Sequence, residues 1–228
     1  GLYYKLVYIC VVKMKLYTLT IAIFSVFTVS AQSASYKEGL KKNIQLFESA
    51  KTPADFIKAA NGFEALAKTE KKEWLAFYYA GLCDALAAFE KPTTEIDPLC
   101  NKAEALANKA DSLSKNNSEV LVLKSMIVAA RINVNKAQRG QKYGAMATKF
   151  AMEAVKLNEA NPRAHFVKAK AILNTPPALG GGEKKAKPAF ELVLEKIKTY
   201  KPESSLSPSW GKEETEKELK KMTSTKNK

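Results

Sequence analysis

The sequence predicts an all-α protein: a stack of about four antiparallel helix pairs closed by a C-terminal helix. Two observations carry this. Apolar residues at Leu99, Ala103, Leu106, Ala107, Ala110 and Leu113 keep the three- and four-residue spacing that lines one face of a helix. The same stripe returns 44 residues later as Tyr143, Ala147, Phe150, Ala151, Ala154 and Leu157. Composition agrees, because a chain that is 46% hydrophobic with only 9 Pro and 10 Gly in 228 residues can fill a core and has few helix breakers.

The front of the chain reads as a targeting segment. Lys13 and Lys15 precede an apolar run over residues 16–29, and Val29-Ser30-Ala31 supplies the small residues of a cleavage site. Met14 is the natural initiator, so residues 14–31 read as a signal peptide and residues 1–13 as a non-native or mis-called extension. An uncleaved anchor is the rival reading, but the run after Lys15 is short for a span of about 20 residues. No cysteine sits just after the run, which argues against a lipoprotein. The expectation is an exported chain, periplasmic or secreted, that begins at Gln32 and keeps no stable membrane span. Loss of residues 1–31 removes three lysines and leaves 34 basic and 23 acidic residues, a net charge of +11.

The 44-residue shift also carries the neighbouring helix, placing Gly81, Ser125 and Ala169 in one column of small residues where helices approach closely. Moving back, Ala59, Phe63 and Leu66 fall beneath the Ala103 stripe. A last copy runs Ala186, Phe190, Val193 after 39 residues. Asp97-Pro98 reads as a helix start, with Asp as N-cap and Pro in the first turn. The length of each unit is expected in three long loops, at residues 91–96, 135–142 and 175–182, that meet along one edge of the stack. Residues 32–205 form the repeat domain, and residues 206–228 a capping helix and basic tail docked by Trp210.

This pattern resembles the tetratricopeptide repeat, whose two-helix unit has a small residue in its first helix and an Ala, aromatic, Ala series in its second. The period here is 44 rather than 34, and Ala fills most of the aromatic positions. The pattern is also similar to small secreted tetratricopeptide-like proteins of Bacteroidota-type bacteria, on NPRAHF from Asn161, PPALGGG from Pro176 and PSWGK from Pro208. The resemblance implies a right-handed superhelical stack. It also implies a groove lined by the first helix of each unit, with Tyr78, Val122, Met126, Phe166 and Lys170 as candidates to meet a peptide or protein partner. Packing against the next helix is the competing role for the same residues.

Catalytic chemistry is thin. PPALGGGEKK lacks the spacing and the Ser/Thr of a phosphate loop, so its glycines read as a chain reversal and no cofactor is expected. The one histidine, His165, shares a repeat column with Phe77 and Leu121 and reads as packed, leaving no general base for a nucleophile. Two cysteines of the exported chain, Cys83 and Cys100, fit either one disulfide or two packed thiols, and with a single histidine they do not complete a zinc site. Lysines alternating with glutamates read as solvated helix faces rather than a nucleic-acid surface. Arg139, Lys142, Lys184 and Lys185 are expected at the loop edge as a local basic patch. The function expected is a non-enzymatic interaction or scaffold module that binds a protein or peptide through the groove or loop edge. A basic adaptor for an anionic polymer or envelope surface is the alternative, and a hydrolase with a hidden site the third.

Overall fold

The computed structural model describes residues 34–224, and within them every regular element is a helix. They are α1 (34–49), α2 (Pro53–Thr69), α3 (Trp74–Glu90), α4 (Thr93–Leu113), α5 (Ser118–Arg131), α6 (Lys136–Leu157), α7 (Pro162–Asn174), α8 (Glu183–Thr199) and α9 (Lys212–Ser224). The expected signal peptide and N-terminal extension lie outside the described residues.

Starts are written locally. Thr52 and Asp55 form a reciprocal capping box with Pro53 in the first turn of α2. Asn117, Asn135 and Asn161 each accept a backbone N–H of the helix that follows. Asn117 and Asn161 stand 44 residues apart, so the repeat extends to its caps.

The helices pair as α1 with α2, α3 with α4, α5 with α6 and α7 with α8. Each pair packs on the next, and α3, α5 and α7 also touch in sequence to form an inner layer. This is the solenoid-like stack of helix pairs that the periodicity predicts. Ala103, Ala107 and Ala110, then Ala147, Ala151 and Ala154, then Ala186, Phe190 and Val193 are all buried. Where a unit carries a large side chain, its burial contributes about 1.5–3 kcal/mol, as for Phe63 stacked on Tyr79 with centroids 5.0 Å apart. The small-residue column has a physical cause. A Cβ on Gly81 would lie 3.2 Å from the Ala103 carbonyl oxygen, and one unit later the Ser125 hydroxyl donates to the Ala147 carbonyl at 2.9 Å.

Two expectations are corrected. α4 begins at Thr93, not at Asp97, and Pro98 sits inside it, while Asp97 serves as an ion-pair partner. The additional length of the units does not form three long loops either. Residues 93–96 and 136–142 belong to α4 and α6, which reach 21 and 22 residues, so the second helices absorb it.

Only the expected loop at 175–182 is present as a loop. Gly180 and Gly182 adopt φ of 91° and 87°, and the Gly182 N–H donates to the Ile172 carbonyl at the end of α7. Gly181 packs so tightly on the Ile172 and Thr175 carbonyls that a Cβ would overlap them. PPALGGGEKK is therefore a reversal built on backbone contacts.

Candidate functional site

The inner layer carries the densest polar chemistry, and it is covered. After α8 the chain runs back without regular structure over residues 200–211 and lies against α3 and α7. The Trp210 indole N–H donates to the Tyr78 hydroxyl at 3.0 Å, and its ring meets Phe166 edge-on at 5.9 Å. The Tyr79 hydroxyl donates to the Leu206 carbonyl at 3.2 Å. The Arg163 guanidinium lies 4.8 Å from the centroid of the Tyr200 ring.

Tyr78, Val122, Met126 and Phe166, expected to line an open groove, are accordingly buried, and half-buried Lys170 pairs with Glu218 of α9 at 3.3 Å. Helix packing and the returning segment together close the face. Trp210 does dock, but across the inner layer instead of on the end of the stack, while α9 packs against α8.

Beneath this segment lies a buried network that the sequence reading missed. Arg163, 1% exposed, donates to both carboxylate oxygens of Glu119 from Nε, at 2.8 and 2.9 Å, and from Nη2 at 2.6 Å. Glu119 also accepts from Asn161 Nδ2 at 2.8 Å and from the Tyr78 hydroxyl at 3.2 Å. Burial, with the Glu119 charge adding to it, raises the Tyr78 phenol well above its ordinary range, so this hydroxyl stays protonated and can act as a donor. Glu119 and Arg163 are 44 residues apart and so occupy the same position in consecutive units. Two opposite charges at one repeat position, in otherwise apolar helix starts, were the available signal.

A second buried acid is Asp84 of α3. Burial raises its carboxyl to about 6; Lys102, 3.3 Å away, works against the rise. Apart from this Lys102 contact at Oδ2, neither oxygen has a hydrogen-bond partner.

The remaining expected site residues each make local contacts of their own. Arg139 is neutralised in a two-point pair with Asp97 at 2.8 and 2.9 Å, which holds the Asp97 carboxyl below its usual range. Lys142 stands over the Tyr143 ring at 5.6 Å, and Lys184 and Lys185 are exposed at the start of α8. Cys83 and Cys100 are buried and unbonded, which corrects the disulfide option, and burial raises both thiols, Cys100 to about 11. His165 is buried, with Nε2 2.8 Å from the Glu159 carbonyl; desolvation lowers its pKa. A shallow concavity of about 170 Å³ at the α1–α2 turn is lined by Leu46, Ser49, Ala50, Asp55 and Lys58. Among the described residues no cluster of His, Cys, Asp and Glu could hold a metal ion, and no helix is long and apolar enough to cross a membrane.

No family model and no curated protein matches the sequence. A solved structure does: the HusA haemophore from Porphyromonas gingivalis superimposes with a TM-score of 0.76 and 33% identity, over 83% of this chain and 94% of the haemophore. The chain belongs to the HusA haemophore family. Its Porphyromonas relative falls in the bacterial group to which the sequence resemblance pointed. HusA haemophore is the name of a binding protein and not of an enzyme, and coverage of nearly its whole length means that the entire stack is shared, rather than one repeat unit.

Proposed function

We propose that this protein is a non-enzymatic carrier of a porphyrin-class ligand, held on the aromatic inner layer of the stack. The observation that carries the proposal is the 33% identity to a haemophore over 94% of its length. The chemistry of the inner layer supports it. Trp74, Tyr78, Tyr79 and Phe166 supply aromatic surface for a flat macrocycle, and the Arg163 guanidinium, its charge already paired with Glu119, supplies a plane on which a ring can stack, as the Tyr200 ring does. His165 is tied to the Glu159 carbonyl, and both cysteines are buried thiols. Recognition through the ring is therefore favoured over ligation of an iron.

A peptide in an open groove is disfavoured, because the chain itself occupies that face. The basic-adaptor reading is weakened by the pairing of Arg139 with Asp97. Export by a cleaved signal and descent from tetratricopeptide-type units belong to the same proposal and rest on the sequence patterns. The test is titration of the full chain with haemin and with an iron-free porphyrin, followed by absorbance of the macrocycle. Saturable one-site binding of both is expected. Binding of haemin alone would point to an iron ligand and refute ring recognition, and binding of neither would refute the carrier reading.

A further inference from the structure

We infer that residues 200–211 form a displaceable strap, which opens in a step separate from unfolding of the stack and competes with ligand for the inner layer. The inference rests on the porphyrin reading for the identity of the competitor, but the opening itself is independent of it.

The strap is held thinly. Residues 201–205 and Ser209 are exposed, Tyr200, Leu206, Ser207 and Trp210 are half-buried, only Pro208 and Gly211 are buried, and the segment has no helix or strand to lose. Its attachments across the inner layer are the two phenol hydrogen bonds and the two ring contacts at Phe166 and Arg163. None of these is an ion pair.

What lies beneath does not depend on it. With the strap lifted, Arg163 keeps its contacts to Glu119, and the Tyr78 hydroxyl keeps its bond to the same carboxylate. No buried charge is orphaned, and the released indole N–H and Tyr79 hydroxyl pass to water. A core segment would show the reverse, since lifting it strands polar groups. The surface uncovered is aromatic, from Tyr78, Tyr79 and Phe166, with the Arg163 guanidinium beside it where the Tyr200 ring had been. That combination takes a flat aromatic ring, stacked on the side chains and over the guanidinium plane. Trp210 and Tyr200 place flat rings on the same residues, so strap and ligand exclude one another.

Hydrogen exchange of the full chain reads the opening without any ligand. Peptides spanning residues 200–211 should exchange on the order of a hundredfold faster than those from α5 and α7, because local opening costs less than global unfolding. Exchange at the rate of the inner helices would overturn the strap. Trp210→Ala, and separately Tyr200→Leu, should accelerate strap exchange while α5 and α7 stay protected.

An iron-free porphyrin then tests the competition. Each variant should bind it about tenfold more tightly, since apparent affinity scales with the open fraction, and ligand should raise exchange in the strap. Weaker binding by both variants, or ligand-induced protection of the strap, would make the segment part of the binding site and overturn the inference. Absence of binding by wild type and variants alike would remove the carrier reading and with it the competitor, while the exchange rates still decide whether the strap opens.

Discussion

Replacing Glu119 by Leu should be among the most damaging single changes in the inner layer. The substitution deletes the acceptor of three Arg163 contacts between 2.6 and 2.9 Å and leaves the guanidinium buried. Breaking one side of a buried ion pair costs about 3–5 kcal/mol, because the surviving charge stays desolvated. The Tyr200 ring remains, but a cation–π contact is worth only about 0.5–2 kcal/mol and is present in both proteins. At about 2–4 °C per kcal/mol for a domain of this size, the melting temperature should fall by about 6–20 °C. Urea unfolding followed by far-ultraviolet circular dichroism measures the loss directly.

The double variant Glu119→Leu with Arg163→Met removes both charges. Its loss should be at least about 2 kcal/mol smaller than the sum of the single losses, although Asn161 and Tyr78 still lose their acceptor. Additive single losses, or a cost under about 1 kcal/mol for Glu119→Leu, would refute the assignment of this pair as a buried and coupled charge site.

Asp84 should give a pH signature of opposite sense to an ordinary carboxylate. Its folded pKa of about 6 exceeds that of an unfolded Asp, near 3.9, so its contribution to stability is fully present below about pH 4 and is lost as the pH rises through 6. The loss amounts to roughly 3 kcal/mol at most. Asp84→Asn should therefore gain on wild type between pH 4.5 and 7.5 in urea midpoints, and a gap that does not change with pH would contradict the desolvation argument. Gly181→Ala should destabilise by roughly 2 kcal/mol or more, because the obstructing atoms are backbone carbonyls. Gly140→Ala and Gly144→Ala, in α6 with open space around them, should each add up to about 1 kcal/mol, and the same unfolding assay checks all three. Non-reducing mass measurement should find no intramolecular bond between Cys83 and Cys100, and thiol reagents should reach both only in denaturant.

What the sequence made legible was whatever repeats. The alanine stripes and the Gly81–Ser125 column recur at 44 residues, with the last stripe after 39, and each recurrence was a separate reading of the same packing. The caps at Asn117 and Asn161 repeat too, although they went unused. Helix ends were less legible. Asp97-Pro98 has the composition of a start, yet Thr93 takes that role, and the Asp97 side chain is used by Arg131 and Arg139 instead. The groove failed for a different reason. Whether Tyr78 is exposed depends on a segment about 130 residues further along, and no local periodicity reports where an irregular segment returns. Trp210 was recognisable as an anchor because a large aromatic in a polar stretch needs a partner, but its target on α3 was not. Glu119 and Arg163 were readable in principle from their spacing, and were overlooked because each alone resembles a surface charge near a helix start.

The strap also changes how the molecule comes apart. A stack of helix pairs is close to one-dimensional: each unit answers only to its neighbours, and the ends fray first. Contacts from Leu206 and Trp210 to Tyr79 and Tyr78 tie the second unit to chain that follows the fourth, over sequence separations of 127 and 132 residues. With the strap seated, the last unit cannot peel away alone, and the array melts as a single cooperative body. With it lifted, the same helices regain the graded unfolding of a linear array. Closing so distant a contact also raises the contact order, so strap docking is expected as a late, slow phase after the helix pairs have formed.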